Sequence, residues 1–204
     1  MKRFFFLFLM TGGLLFAVLP TVQAQDSENH AEIGFFGDYF RLGSTLAGSG
    51  ATSFGGVGGR FSVNASRRWQ IEAEMNYDFA QSFTESFTGP SGTVLGFSNS
   101  RLRILHGLIG PKLQTGGGAF RVFATVKGGG VNFAFSQAPV TFSTFTSSVS
   151  GLRSSSIVGV VYPGAGVESY LGPFGVRLDV GDEIYFQNGA HHNLRITIGP
   201  NIRF

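Results

Sequence analysis

The feature that most constrains this chain is a strict alternation of apolar and polar side chains in three separate segments. The alternation runs through 69–79, 174–186 and 193–204, where one face is apolar and the other is polar or charged. A period of two residues is typical of a β-strand. The polar faces are too charged for a sandwich core with a generic surface. The pattern therefore predicts a transmembrane barrel, whose apolar face meets lipid and whose charged face fills the lumen.

Fainter alternation predicts five further strands, at 32–41, 54–64, 101–113, 120–133 and 156–170, which makes eight. The phase of 101–113 is ambiguous because Arg103 and Lys112 lie on opposite parities. A bulge, or a Lys112 side chain that reaches the rim, would reconcile them.

The connections alternate in length, which predicts the topology. Short ones at 65–68, 115–119 and 171–173 alternate with longer ones at 43–53, 82–100, 136–155 and 187–192. Short periplasmic turns and longer outer loops are typical of an up-and-down antiparallel barrel with both termini in the periplasm. In 82–100 and 136–155 the β-prone composition favours strands that continue past the membrane over long structureless loops.

The N-terminus has the pattern of an export signal. Lys2 and Arg3 precede the apolar stretch 4–18, and small residues lead to Ala24. We therefore expect a signal peptide at 1–24, cleaved after Ala24, and one barrel domain at 25–204. Without the signal the chain holds 13 Lys and Arg against 12 Asp and Glu and has no basic stripe, so we expect no nucleic-acid partner.

The export signal, the eight alternating strands and the closing Ile202-Arg203-Phe204 resemble OmpA/OmpX-type outer-membrane β-barrel domains. The resemblance covers most of the mature chain and lies in pattern more than in fixed residues. It implies an eight-stranded barrel in the bacterial outer membrane. It also implies that Ile198, Ile202 and Phe204 are read as a C-terminal signal by the outer-membrane assembly machinery. Pro200 departs from the apolar or aromatic residue that is usual in that signal.

A set of charged residues is predicted to point into the lumen. An eight-stranded barrel has an interior that side chains just fill, so these charges should pair into a plug. The alternative is a narrow ion path. The set comprises Glu72, Glu74, Asp78, Arg121, Lys127, Glu168, Arg177, Asp179, Glu183, Arg195 and Arg203.

Aromatic residues at strand ends predict two girdles at the membrane surfaces. Trp69, Phe120, Tyr170 and Phe174 should lie on the periplasmic side, and Phe79 and Phe186 on the outer side.

Few residues suggest chemistry. His191 and His192 point in opposite directions on an extended chain and are interpreted as exposed loop residues, and His106 as a rim or packing residue. The glycine runs 55–59 and 128–130 lack the Lys-Ser/Thr and the helix of a phosphate loop. We therefore expect no catalytic site, metal or cofactor.

The resulting hypothesis is an integral outer-membrane protein with a structural or adhesion-like display role through its outer loops. The alternatives are a narrow channel for ions or small solutes and, third, an enzyme that modifies lipid A. Expected partners are outer-membrane lipid and lipopolysaccharide, the assembly machinery and a surface ligand bound by the loops.

Overall fold

The computed structural model describes residues 30–43, 51–88, 94–115, 118–136, 157–187 and 189–204. The predicted signal peptide and most of 136–155 lie outside these ranges. None of the described residues belongs to a helix that could cross a membrane. The strands are β1 (Ala31–Leu42), β2 (Thr52–Asn64), β3 (Trp69–Thr88), β4 (Val94–Gln114), β5 (Phe120–Phe135), β6 (Ile157–Leu171), β7 (Phe174–Asp182), β8 (Ile184–Phe186), β9 (Ala190–His191) and β10 (Leu194–Arg203).

The sheet closes on itself as an antiparallel barrel. Each strand from β1 to β6 pairs with the next, β6 pairs with β7, β7 with β10, and β10 with β1. β8 continues the line of β7 along β6 after an interruption at Glu183, and the two-residue β9 returns beside β8. The wall therefore has eight strands, as predicted, and closure removes the free edges that an open sheet would expose.

The main difference from the predicted strands is the length of β3 and β4. They contain 20 and 21 residues, so they take up most of the connection predicted at 82–100. The prediction that this connection continues as strands is confirmed. The matching prediction for 136–155 falls mainly on residues that are not described.

The ambiguous phase of 101–113 is resolved by β3. The register between β3 and β4 shifts by one residue between Asp78 and Gln81, which places the bulge in β3 and leaves β4 regular. Every second residue of β4 from Leu102 to Gln114 faces inward, and Lys112 is completely buried. The suggestion that Lys112 reaches the rim was wrong. Arg103 is the outward residue.

Inward-facing glycines make room for inward-facing rings. A Cβ atom on Gly181 would lie 2.5 Å from the ring of Tyr162, and one on Gly164 would lie 2.7 Å from it. A Cβ on Gly58 would lie 2.4 Å from the ring of Phe36. Small and large residues thus face each other across the bore, as its limited diameter requires.

Candidate functional site

The end of the bore nearest the short turns at 65–68 and 172–173 holds a dense set of ionic groups, here called the charged half. Its described members are eight buried carboxylates, six buried Lys and Arg side chains, and one buried histidine. They are Glu32, Asp38, Arg60, Glu72, Glu74, Asp78, His106, Lys112, Arg121, Lys127, Glu168, Arg177, Asp179, Glu183 and Arg195.

Arg195 on β10 joins three parts of the wall. Its Nη1 atom lies 2.7 Å from Glu74 Oε1 and 3.3 Å from Glu183 Oε2, and its Nε atom lies 3.2 Å from Asp38 Oδ1. Its Nη2 atom donates to Asn76 Oδ1 at 3.0 Å. These contacts spread one guanidinium over β1, β3 and the β7–β8 line, so the side chain ties the closing strand to distant strands.

A second node of ion pairs lies closer to the short-turn end of the bore. Arg177 binds Glu72 through both terminal nitrogens, at 2.5 and 3.0 Å, and donates to Asp179 at 2.6 Å. Lys127 bridges Glu72 and Glu74 at 2.7 and 2.6 Å. Two-pronged pairing of arginine with a carboxylate is among the stronger charge-assisted interactions, and burial reduces its screening by salt.

The bore is also ionic at its mouth on the side of the short turns. Glu32 accepts from Arg121 at 2.9 Å and from the Tyr170 hydroxyl at 3.1 Å. Lys112 forms an ion pair with Glu168 and lies 3.7 Å from Glu32. The charged half therefore extends from this mouth to the level of Asp38.

His106 marks the upper limit of the charged half. Its Nδ1 atom lies 2.5 Å from Glu183 Oε1 and its Nε2 atom 2.9 Å from Asp78 Oδ2. A ring with a carboxylate at each nitrogen is best satisfied when both nitrogens donate, which is the cationic imidazolium. Phe40 packs against the same ring edge-on, with centroids 5.0 Å apart, and begins a different environment.

Above His106 the bore is lined by hydrocarbon, here called the apolar half. Phe133 and Tyr185 contact each other edge-to-face at 5.3 Å within it. Its members pack side chain against side chain in the interior, as in the core of a soluble domain. They are Phe40, Leu42, Phe54, Leu102, Ile104, Val131, Phe133, Val158, Val160 and Tyr185. Leu108 and Tyr162 belong to the same cluster but lie lower, and the Tyr162 hydroxyl donates to Asp179 Oδ1 at 2.7 Å in the charged half.

The eleven charges predicted for the lumen fall into two groups. Ten are buried in the charged half and take part in ion pairs. Arg203 lies at the rim beside the 172–173 turn, where its Nε atom donates to the Gly172 carbonyl and its guanidinium covers the Tyr170 ring at 4.6 Å.

Five buried ionic residues were absent from the predicted set: Glu32, Asp38, Arg60, Lys112 and His106. Glu32 and Asp38 share the parity of the inward residues of β1, which was a usable signal. The interpretation of His106 as a rim or packing residue was wrong, because its ring lies between two buried carboxylates.

The aromatic positions are outward-facing with one exception. Trp69, Phe79, Phe120, Phe174 and Phe186 are all at least half exposed on the outer wall, whereas Tyr170 is 5% exposed and faces the bore. Tyr170 lies two residues after Glu168 on β6, so it shares the inward face, and its assignment to a girdle was wrong. Ile198 and Ile202 on β10, and Phe204 just after it, face outward.

The two adjacent histidines lie at the outer rim. His192 Nδ1 pairs with Asp182 Oδ2 at 2.5 Å, with both side chains substantially exposed, and His191 stacks on Tyr185. Within the described residues, no side-chain hydroxyl hydrogen-bonds to either ring, and no three His, Asp or Glu side chains converge as a metal site. Among the described residues, therefore, neither histidine has a nucleophilic hydroxyl group beside it for which it could act as a base.

By sequence, the chain matches no protein-family model and no curated protein. By fold, it is similar to Ail, the attachment invasion locus protein of Yersinia pestis. The TM-score is 0.53 at 13% identity, over 87% of this chain and all of Ail. Neisserial surface protein A gives 0.51 at 8% identity, over 85% of this chain and 97% of that one. OprG from Pseudomonas aeruginosa gives 0.50 at 13%, over 90% and 99%.

The chain has the fold of the small outer-membrane β-barrels. This agrees with the OmpA/OmpX-type resemblance of the sequence. At these identities the likeness concerns the fold alone, so function has to be argued from the geometry of this barrel itself.

Proposed function

We propose that this protein is an integral barrel of the bacterial outer membrane that displays the β3–β4 hairpin as a binding element. The filled bore favours this scaffold role over a channel, and in the described residues no side-chain hydroxyl bonds to the rim histidines as a nucleophile would. The observation that carries the proposal is the height of the hairpin above the rest of the wall. β2 pairs with β3 only as far as Gly56 and Asp78, and β5 pairs with β4 only as far as Phe135 and Leu102.

Beyond those points, apart from one bond from the Ser136 amide to the Arg101 carbonyl, the two strands show backbone pairing only with each other among the described residues. Their ladder continues from Gln81 and Leu102 to Thr88 and Val94. A two-stranded ribbon in this position has a free backbone edge on each side, and an extended segment of a partner can add to either edge through main-chain hydrogen bonds. The proposed display surface also includes the segments predicted from the sequence as outer loops, 43–53 and 136–155.

The bore supports a scaffold better than a channel. Ion pairs fill the charged half and packed side chains fill the apolar half, so a permeating ion would have to displace both. An isolated ion in hydrocarbon is costly, which makes the apolar half a barrier in its own right.

The outer wall supports placement in a membrane. Phe35, Ile71, Val126, Leu178 and many similar side chains form an exposed apolar belt around the barrel. Such a belt would be a large aggregation-prone patch in water and is satisfied by lipid. The same proposal includes three further points. Residues 1–24 direct export, the outward aromatic residues form girdles at the membrane surfaces, and the assembly machinery recognises Ile198, Ile202 and Phe204.

A relative supports a binding role at the surface. Ail has been crystallised with sucrose octasulfate, a heparin analogue, and that structure matches this chain with a TM-score of 0.51 at 14% identity. For the present chain we propose a surface ligand of the cell exterior, bound by the hairpin and adjoining loops.

The test is to remove the hairpin and keep the wall. Ser82 and Arg101 are a directly opposed pair, so residues 83–100 can be replaced by Asn-Gly, which favours a two-residue hairpin turn. We expect the shortened protein to keep its folded mobility on unheated gels and to lose adhesion of expressing cells to host cells and matrix. A matched control keeps the length of 83–100 but scrambles its order. Full adhesion by the shortened protein would contradict the display role.

A further inference from the structure

The buried charges of the bore do not balance. Among the described residues, the charged half holds eight carboxylates against six Lys and Arg side chains. His106 adds a seventh cation, because each of its ring nitrogens faces a carboxylate. Arg203 is opposite Glu32 in the β1–β10 ladder, about 20 Å along β1 from Asp38, and does not reach the upper part of the bore. One buried acid is therefore left without a cation.

The surplus acid is confined to the upper end of the charged half. Towards the short turns, five acids can each be matched to a different cation within ion-pair distance. These pairs are Glu32 with Arg121, Glu168 with Lys112, Glu72 with Arg177, Glu74 with Lys127, and Asp179 with Arg60. Three acids then remain for two cations, Arg195 and His106.

These five residues form a chain in which acids and cations alternate. In order they are Asp38, Arg195, Glu183, His106 and Asp78, with successive contacts of 3.2, 3.3, 2.5 and 2.9 Å. The chain begins and ends on an acid, and its two ends meet. Asn76 Nδ2 donates to Asp38 Oδ2 at 2.6 Å and to Asp78 Oδ1 at 3.3 Å. The two carboxyl groups are also within hydrogen-bond reach of each other, and a bond between them requires a proton on one.

The meeting point is dry and does not suit a metal ion. The side chains of Asp38 and Asp78 are both completely buried. A Cβ atom on Gly56 would lie 2.2 Å from Asp78 Oδ1, so the backbone of β2 closes that side. The Asn76 amide presents hydrogens to both carboxyl groups, which would repel a cation. Two adjacent carboxylates without water repel each other strongly, and a single proton removes the repulsion.

We propose that Asp38 and Asp78 form a proton-binding site, in which one proton is shared between Asp38 Oδ2 and Asp78 Oδ1 at neutral pH. The proton closes the alternating chain into a ring and supplies its missing positive charge. The ionisable groups around the site are Arg195 from β10, His106 from β4, Glu74 from β3, Glu183 after β7 and Tyr162 from β6. This inference concerns the bore alone and depends neither on display by the hairpin nor on membrane placement.

The site makes stability depend on pH in a defined direction. An aspartate of the unfolded chain releases its proton above about pH 4, whereas the folded pair keeps one. Folding therefore takes up a proton, and the folded barrel loses stability as the pH rises.

Infrared spectroscopy of the full chain in lipid vesicles, labelled with carbon-13 aspartate, tests the site directly. At pH 7 the parent should show the carbonyl band of an un-ionised aspartic acid, identified by its isotope shift. Asp38→Asn and Asp78→Asn should each remove this band, because the remaining carboxylate then has a cation to itself.

Urea unfolding in the same vesicles provides the second readout. Between pH 5 and pH 6 the unfolding equilibrium constant of the parent should rise up to about tenfold, and either single substitution should abolish this rise. Asp179→Asn is the matched control, since that buried carboxylate lies 2.6 Å from Arg177. It should keep the rise and increase the constant about a hundredfold at each pH. The double variant should be as unstable as this control, because it leaves one acid for two cations.

Three outcomes would overturn the proposal. The first is the absence of the un-ionised band from the parent. The second is that either single substitution destabilises the barrel as much as Asp179→Asn. The third is a loss of stability in the parent, but not in the single variants, when sodium and potassium are replaced by tetramethylammonium. That result would identify a metal ion as the missing cation.

Discussion

The two halves of the bore are built in opposite ways although the same strands run through both. Around the charged half the outward side chains are apolar and the inward ones are ionic. Around the apolar half the inward side chains are hydrocarbon, and the uppermost outward positions become largely polar, with Phe79, Ile157 and Phe186 as exceptions. Those polar positions include Arg41, Ser53, Arg101, Arg103, Ser136 and Asp182.

This comparison indicates that the medium outside the wall determines which kind of side chain the wall can enclose. Where lipid surrounds the strands, outward apolar residues are required, and the interior can be ionic because the charges neutralise one another at close range. Where the strands leave the lipid, water is outside, and burial of hydrocarbon becomes favourable again. The apolar half is the core of a small water-exposed collar on a membrane barrel.

The most damaging change should be removal of a cation from the charged half. Arg195→Met leaves the carboxylates of Asp38, Glu74 and Glu183 buried without that partner. We expect the free energy of unfolding to fall by about 3–5 kcal/mol. Urea unfolding in lipid vesicles measures it, with the exposed Arg68→Met as the control. Equal stability of both variants would show that the ion pairs do not hold the wall together.

A cavity in the apolar half should cost somewhat less. Leu102→Ala empties a completely buried position and should lower the free energy of unfolding by about 3 kcal/mol, whereas lipid-facing Leu105→Ala should cost less than half as much. Planar-bilayer recordings sharpen the comparison. The variant should remain non-conducting, because the charged half still fills the bore below it. Discrete conductance steps would mean that the apolar half alone is the seal.

The boundary residue should have an intermediate effect. His106→Gln keeps a polar side chain but removes the charge between Asp78 and Glu183. Because two buried carboxylates lose their shared partner, we expect a loss of about 2–3 kcal/mol in the same unfolding assay. His192→Gln, at the exposed rim, is the matched control and should stay within about 0.5 kcal/mol of the parent. Equal effects of the two substitutions would show that His106 does not contribute to the stability of the charged half.

The smallest expected effect tests the fit of rings against glycines. Gly181→Ala would place a Cβ atom 2.5 Å from the Tyr162 ring and 2.6 Å from the Pro163 carbonyl oxygen. Overpacking of this kind should cost about 1–2 kcal/mol. Gly159→Ala faces outward with nothing within 4 Å and should be close to neutral. A neutral Gly181→Ala would show that Tyr162 can move within the bore.

The sequence was sufficient to predict the eight wall strands, because alternation depends only on which side meets lipid. It was insufficient for the apolar half, since Leu102-Arg103-Ile104-Leu105 is apolar on both parities and gives no unique phase. In the structure this segment is part of a strand that, in the proposed placement, leaves the membrane, and Arg103 points outward. The same change of environment explains why Lys112 and Arg103 lay on opposite parities without any bulge in β4.

Ten members of the charged half were predicted from parity, but Lys112 and His106 were misassigned, and the pairing was not predictable. Parity places Glu74 and Arg195 inside, yet only the register between distant strands shows that they touch. Tyr170 illustrates the limit of reading by residue type: an aromatic at a strand end suggested a girdle, and its position relative to Glu168 indicated the bore.

The position of Arg195 in the last described strand has a consequence for how the barrel is completed. Until β10 docks, a nascent barrel holds the acids of β1, β3 and the β7–β8 line without the guanidinium that joins them. Closing the wall therefore also supplies the cation that these acids share. A barrel that lacks its last strand carries buried carboxylates without that cation.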